Sequence, residues 1–91
     1  MGLKQAEYIV HGRVQGVGYR YFVYSRALEC SLKGFARNQW DGSVLVVAEG
    51  DKLSLELLKG SLEKGPSMAR VTKVDVEYRD FTGEFTSFEI Q

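Results

Sequence analysis

Two short stretches carry the residue types from which an anion site can be built. The first is Gly12-Arg13-Val14-Gln15-Gly16-Val17-Gly18-Tyr19-Arg20. Alternating hydrophobicity ends in a cluster of glycines, and helical spacing begins straight after it. A strand, a tight loop and a helix N-terminus in succession present several unpaired backbone N–H groups to one point, where the helix dipole adds positive potential. Glycines let such a loop take positive φ and let an anion approach the backbone closely. Arg20, at the helix start, can add a planar two-pronged cation to the same anion. A plain turn followed by a solvated arginine explains these residues equally well. The stretch is neither a Walker A loop nor a dinucleotide fingerprint, because no Gly-Lys-Ser/Thr follows and the glycine spacing differs.

The second stretch is Gly34-Phe35-Ala36-Arg37-Asn38-Gln39-Trp40-Asp41-Gly42-Ser43-Val44, with Gly50 beyond it. Asn38 falls near the end of a predicted strand, where asparagine is disfavoured. Its amide both donates and accepts, so it can orient a water molecule. Taken alone, a turn-forming asparagine ahead of the Asp41-Gly42 pair is the simpler reading.

Other reactive types carry less. His11 is the only histidine. It lies on the strand face shared with Glu7 and Arg13, where surface or cross-strand use outweighs acid–base work. Cys30 is the only cysteine, which gives it no disulfide partner within the chain and no zinc set, and no histidine stands near it in sequence. A small buried hydrophobe on a helix is its simplest role. Tyr19 and Trp40 stand near the proposed site, with core or hairpin packing as their expected use. The run Tyr19-Arg20-Tyr21, with Tyr24 and Arg26, mixes aromatic and basic residues, but the Lys/Arg-Gly-Phe/Tyr pattern of RNA-binding sheets is absent.

The elements that must hold these residues follow from periodicity. Residues 7–14 alternate as a strand, with Tyr8, Val10, Gly12 and Val14 on one face. Residues 20–32 place Val23, Ala27 and Cys30 at helical spacing, with Lys33 and Gly34 as a basic last turn and a glycine stop. Residues 34–38 and 43–49 form two strands joined through the Asp41-Gly42 hairpin signal. Asp51 caps a second helix whose apolar stripe is Leu55, Leu58 and Leu62. A loop at Gly65-Pro66 leads to a strand in which Val74, Val76 and Tyr78 alternate with Lys73, Asp75 and Glu77. A short strand from Phe85 to Ile90 follows. The order βαββαβ plus a C-terminal strand predicts an α+β, ferredoxin-like fold with a mainly antiparallel sheet and two helices on one face. That fold hosts many activities and decides none.

At 91 residues the chain fits one domain, spanning 1–91. Hydrophobic residues are 44% and charged residues 26%, the balance of a soluble globular domain. No apolar run approaches the ~20 residues of a membrane span. No signal-peptide core follows Met1, and Ala6 stands where a myristoylation signal requires Ser or Thr. With the lone cysteine, this makes a cytoplasmic protein the expectation. The formal net charge is zero, yet residues 1–40 hold six basic against two acidic residues and the remainder six against ten. A positive region on a neutral chain suits a small anion better than a nucleic acid.

Both stretches resemble the two signatures of the acylphosphatase family. The first matches in its glycine, its Val14-Gln15-Gly16-Val17 run, and the aromatic and arginine at Tyr19 and Arg20. The second matches through Gly34-Phe35-Ala36-Arg37-Asn38 with Gly42, Val44 and Gly50. They stand in the family's order, separated by one helix, and the resemblance covers nearly the whole chain. It implies a hydrolase that cleaves the carboxyl–phosphate bond of small acyl phosphates by direct attack of an oriented water, with no metal, no cofactor and no covalent enzyme intermediate. It further implies that Gln15, Gly16, Val17, Gly18, Tyr19 and the N–H of Arg20 form the phosphate cradle. Arg20 corresponds to the arginine that pairs with the phosphate, and Asn38 to the asparagine that positions the water. A monomer acting without nucleic acid or membrane is expected.

Overall fold

The computed structural model describes residues 2–91. The elements are β1 (Leu3–Arg13), α1 (Tyr19–Glu29), β2 (Lys33–Asn38), β3 (Val44–Asp51), α2 (Lys52–Lys64), β4 (Arg70–Asp80) and β5 (Phe88–Ile90). The strands make one sheet in the order β4-β1-β3-β2-β5. β1 runs antiparallel to both β3 and β4, β2 antiparallel to β3, and β5 parallel to β2. The α+β, ferredoxin-like expectation therefore holds, with β5 as a parallel addition at the β2 edge.

Alternation on β1 decides which face of the sheet is covered. Ala6, Tyr8 and Val10 are fully buried and lie opposite Ala48, Val46 and Val44 of β3. With Ala36 of β2 they meet Val23 and Ala27 of α1 and Leu55, Leu58 and Leu62 of α2 in one core. Tyr8 and Tyr19 bring hydroxyls into that core and satisfy both on α2, donating to the carbonyls of Leu55 (2.6 Å) and Leu62 (2.8 Å). Burial pushes both phenols well above their ordinary pKa, so they remain donors at any working pH. The predicted cap of α2 is present: the Asp51 carboxylate accepts from the Leu53 N–H at 3.4 Å.

Helix α1 departs from expectation at its end. It stops at Glu29 instead of reaching residue 32, and Cys30 is its half-buried cap. Ser31 takes the left-handed φ of 58°. Its N–H bonds to Leu28 O (3.1 Å) and the Leu32 N–H to Ala27 O (2.9 Å), the paired closure that glycine usually serves. Gly34 is thus no helix stop. It sits within β2, where an added Cβ would lie 1.9 Å from the Val47 carbonyl oxygen, so close approach between strands demands it. The strand bounds also shift: β1 starts at Leu3, four residues earlier than its alternation suggested, and β5 is confined to Phe88–Ile90.

Candidate active site

Three chain segments converge at the end of the sheet where β1 finishes. The β1–α1 loop contributes Gly16 and Gly18, both left-handed, with φ of 75° and 76°. Gly18 is the N-cap of α1 and makes no side-chain cap. The first helical bond runs from the Phe22 N–H to the Gly18 carbonyl at 3.1 Å. The N–H groups of Tyr19, Arg20 and Tyr21 therefore have no acceptor within the helix. A Cβ added at Gly16 or Gly18 would meet nothing within 4 Å. These glycines are required for backbone conformation, and the space before them is open for a ligand.

Helix α1 packs on β2 and β5, which brings its first turn to the C-terminal ends of those strands. Arg20 of that turn, Asn38 at the end of β2 and Ile90 at the end of β5 line one cleft of about 290 Å³ together with Val14, Gly16, Gly18, Tyr19 and Tyr21. The Arg20 guanidinium donates through Nη1 to the backbone carbonyl of Gln91. One of its five N–H groups is thereby engaged, and the rest of the fork stays available to an anion. Gln91 is itself fixed through its N–H to Ala36 O (2.8 Å) and its side-chain oxygen to Arg37 (3.3 Å). Asn38 pairs with Val44 across the hairpin. Its Oδ1 is the one buried side-chain oxygen or nitrogen among the described residues that no protein group bonds. An acceptor taken out of water without a partner costs ~1–3 kcal/mol, and that cost is relieved when the Asn38 amide turns into the cleft its residue lines and finds a hydrogen there.

The expected cradle divides on inspection. Gly16, Gly18, Tyr19, Arg20 and Asn38 share the cleft. Tyr19 presents its ring to the core, where it is 1% exposed. Val17 packs its half-buried side chain against the core. Gln15 uses its side-chain amide on the hairpin, donating to the carbonyls of Gln39 (2.7 Å) and Ser43 (2.9 Å). Beyond the hairpin strand ends, Asp41 accepts from the Ser43 N–H (2.9 Å) and hydroxyl (2.7 Å), and those bonds hold its carboxyl below the ordinary range. Trp40 does not pack as expected and is fully exposed at the hairpin tip. His11 of β1 meets Asp75 of the edge strand β4 at 3.1 Å, away from the cleft lining. Burial and the neighbouring Glu29 push the Cys30 thiol up, which suits an inert role. Tyr21, Ile90 and the Gln91 contact escaped sequence reasoning. Tyr21 comes with the first turn of α1, whereas Ile90 and Gln91 arrive through β5 pairing parallel to β2, which no local pattern announces.

The acylphosphatase family model matches residues 6–90. The chain belongs to the acylphosphatase family. It is 51% identical to an acylphosphatase of Mycobacterium sp. strain KMS over 79 residues, 87% of this chain and 84% of the relative. The crystal structure of acylphosphatase from Bacillus subtilis superposes with a TM-score of 0.93 and 36% identity, covering 98% of each chain. The fold also recurs inside full-length HypF in its phosphate- and nucleotide-bound form: TM-score 0.89, 27% identity, 98% of this chain and 12% of that one. Among the described residues, no helix is long and apolar enough to cross a membrane, and no three His, Cys, Asp or Glu side chains gather as a metal site would require.

Proposed function

We propose that this acylphosphatase hydrolyses small acyl phosphates through Arg20 and Asn38, without a metal. The phosphate rests against the N–H groups of the loop between Gln15 and Tyr19 and of Arg20, with the Arg20 guanidinium on its oxygens. Asn38 Oδ1 accepts a hydrogen from the attacking water. The water oxygen forms the new bond to phosphorus while the bond from phosphorus to the acyl oxygen breaks and its electron pair leaves as carboxylate. The water's proton passes to a phosphate oxygen of the substrate, so inorganic phosphate and carboxylate are the products. A carboxylate is a good leaving group, with a conjugate acid near pKa ~4. Charge stabilisation and in-line alignment can then carry the reaction without a strong base. The observation that bears most weight is that Asn38, whose buried Oδ1 has no partner, lines the same cleft as Arg20 and the two left-handed glycines.

The reaction is further proposed to take place in the cytoplasm, on a monomer, without nucleic acid. The zero net charge speaks against a nucleic-acid partner. So does the face of β1 and β3 away from the helices, where Glu7, Ile9, His11, Leu45 and Val47 include no aromatic residue, while Phe35 beside Val47 packs edge-on against Phe85 at 5.9 Å.

The test is phosphate release from benzoyl phosphate in the presence of EDTA, with wild type beside Arg20→Gln and Asn38→Ala. Turnover that survives EDTA and collapses in both variants is the expected result. A folded wild type that releases no phosphate would reduce the site to a phosphate-binding relative of the family.

A further inference from the structure

A second cavity opens at the end of the sheet away from the candidate active site. Its volume is about 270 Å³, and Leu3, Lys33, Glu49, Phe81, Gly83 and Phe85 contribute to its lining. Lys33 begins β2 and Asn38 ends it, so the length of that strand, roughly 17 Å, separates the two places. No step of the proposed hydrolysis uses any of these residues.

The cavity is held in shape by the protein itself. Glu49 of β3 accepts from the Thr82 N–H and hydroxyl and from the Gly83 N–H, which fastens the β4–β5 loop between Phe81 and Phe85. The Phe85 ring is steadied edge-on by Phe35, with centroids 5.9 Å apart. Gly83 is left-handed at φ 73°, and an added Cβ there would lie 3.2 Å from the Phe81 ring, so the loop backbone braces that ring. Phe81 is nonetheless 43% exposed, and the core does not need it. An exposed ring braced in this way binds a flat apolar group at little entropic cost.

Charge selects the ligand. Lys33 stands directly opposite Glu49 in the strand register, so both side chains leave the same face of the sheet. Yet Lys33 enters no ion pair among the described residues. Glu49 does not require it, because other donors engage its oxygens: Oε2 accepts from Gln5 and twice from Thr82, and Oε1 from Gly83. The exposed Lys33 ammonium is therefore the unmatched charge of the cavity. A ligand cation would meet it with repulsion, and a phosphate dianion would be repelled twice over by the buried Glu49 carboxylate. A single carboxylate gains the lysine at the smallest cost from Glu49. We propose that this cavity is a second binding site, for a small aromatic monocarboxylate whose ring lies against Phe81 and Phe85 and whose carboxylate pairs with Lys33. The volume is at the small end for ligand sites and suits one ring with its carboxylate.

The test is an amide-resolved NMR titration of the isotope-labelled protein with benzoate, in inorganic phosphate that occupies the candidate active site. Shifts are expected at the amides of Lys33, Phe81, Gly83 and Phe85, with a Kd on the order of 1 mM. Lys33→Gln should weaken binding about threefold, as loss of an exposed ion pair does, and Phe81→Ala about tenfold. Both substitutions alter exposed side chains, and the same spectra show that the variants fold. Benzylammonium, of the same shape and opposite charge, should bind more weakly than benzoate. Shifts confined to the surroundings of Gly18, Arg20 and Asn38, or none up to the solubility limit of benzoate, overturn the second site. So does unchanged affinity in Lys33→Gln, or tighter binding of benzylammonium, since either removes the anion recognition. None of these outcomes touches the hydrolase reading, which phosphate release tests separately.

Discussion

The side-chain amide of Gln15 donates to the backbone carbonyl of Gln39 at 2.7 Å, joining the loop that floors the cleft to the chain one residue beyond Asn38. The second amide bond, to Ser43 O at 2.9 Å, ties the same loop to the other side of the hairpin. Gln15 thus ties the β1–α1 loop to the strand end that carries Asn38, the proposed phosphate and water ends of the site. Both carbonyls keep another donor, since Gly42 N–H bonds to Gln39 O (3.1 Å) and Gln39 N–H to Ser43 O (2.8 Å). Gln15→Ala should therefore cost only ~0.5–1.5 kcal/mol of stability, together with a fall in kcat as Asn38 drifts. Gln15→Glu should cost more, because a carboxylate cannot donate and would face two carbonyl oxygens. Urea unfolding beside steady-state kinetics measures both. Unaltered stability with a raised KM would mean that the amide binds substrate instead of bracing the hairpin.

Arg20 and Asn38 should fail differently. In the proposed mechanism Arg20 contacts the phosphate in ground and transition states, so Arg20→Gln should raise KM as well as lower kcat, with a loss in kcat/KM of ~10³ or more. Asn38→Ala leaves the cradle and the guanidinium in place. Its kcat should fall by ~10²–10³ while KM moves little. A large rise in KM at normal kcat for the Asn38 variant would contradict its assignment to the water.

Much of this molecule is legible where the signal is local. Tyr8 and Val10 alternate, Leu55, Leu58 and Leu62 recur at helical spacing, and Asp51 precedes its helix; each predicts its own surroundings and the structure agrees. The glycines at 16 and 18 and the arginine at 20 could likewise be placed on a loop and a helix start. What escaped depends on contacts distant in sequence. Gly34 looks like a helix stop until any added Cβ is seen to collide with the Val47 carbonyl. Trp40 looks like hairpin packing until the tip proves to have nothing to pack against. Ile90 joins the cleft only because β5 crosses to the β2 edge, 52 residues from Asn38 in sequence and beside it in space.

Ser31 is a place where this chain carries strain. A non-glycine residue in the left-handed region costs ~1–2 kcal/mol, and Ser31 holds φ 58° while completing the closure of α1. Its side chain is exposed, so little packing is lost on removing it. Ser31→Gly relieves the strain but adds freedom to the unfolded chain, worth ~0.5–1 kcal/mol in the opposite sense. The net expectation is stabilisation by ~0.5–1 kcal/mol, or a few degrees in Tm for a domain of this size. A lower Tm in Ser31→Gly would show that the serine hydroxyl contributes a contact outweighing the backbone strain.

Glu49 should govern part of the acid sensitivity. It is 3% exposed on β3 and accepts from Gln5 (2.7 Å), from the Thr82 N–H (2.9 Å) and hydroxyl (2.7 Å), and from the Gly83 N–H (3.0 Å). Burial opposes its ionisation, but the bonds from Thr82, Gln5 and Gly83 outweigh burial and hold the carboxyl below the ordinary range. A depressed folded pKa gives stability that is complete above the unfolded value and is lost as pH falls through the folded one. Stability should thus be flat near neutrality and decline below about pH 5. Glu49→Gln turns an amide N–H group towards these donors. It should lose ~1.5–3 kcal/mol at pH 7, the worth of a hydrogen bond to a charged group, and show a shallower acid limb. Some slope should persist, since Asp41 is shifted in the same direction by its bonds to Ser43. Thermal unfolding of both proteins from pH 3 to 7 tests this. Parallel curves would mean that the carboxylate clasp on Thr82 and Gly83 does not control the acid response.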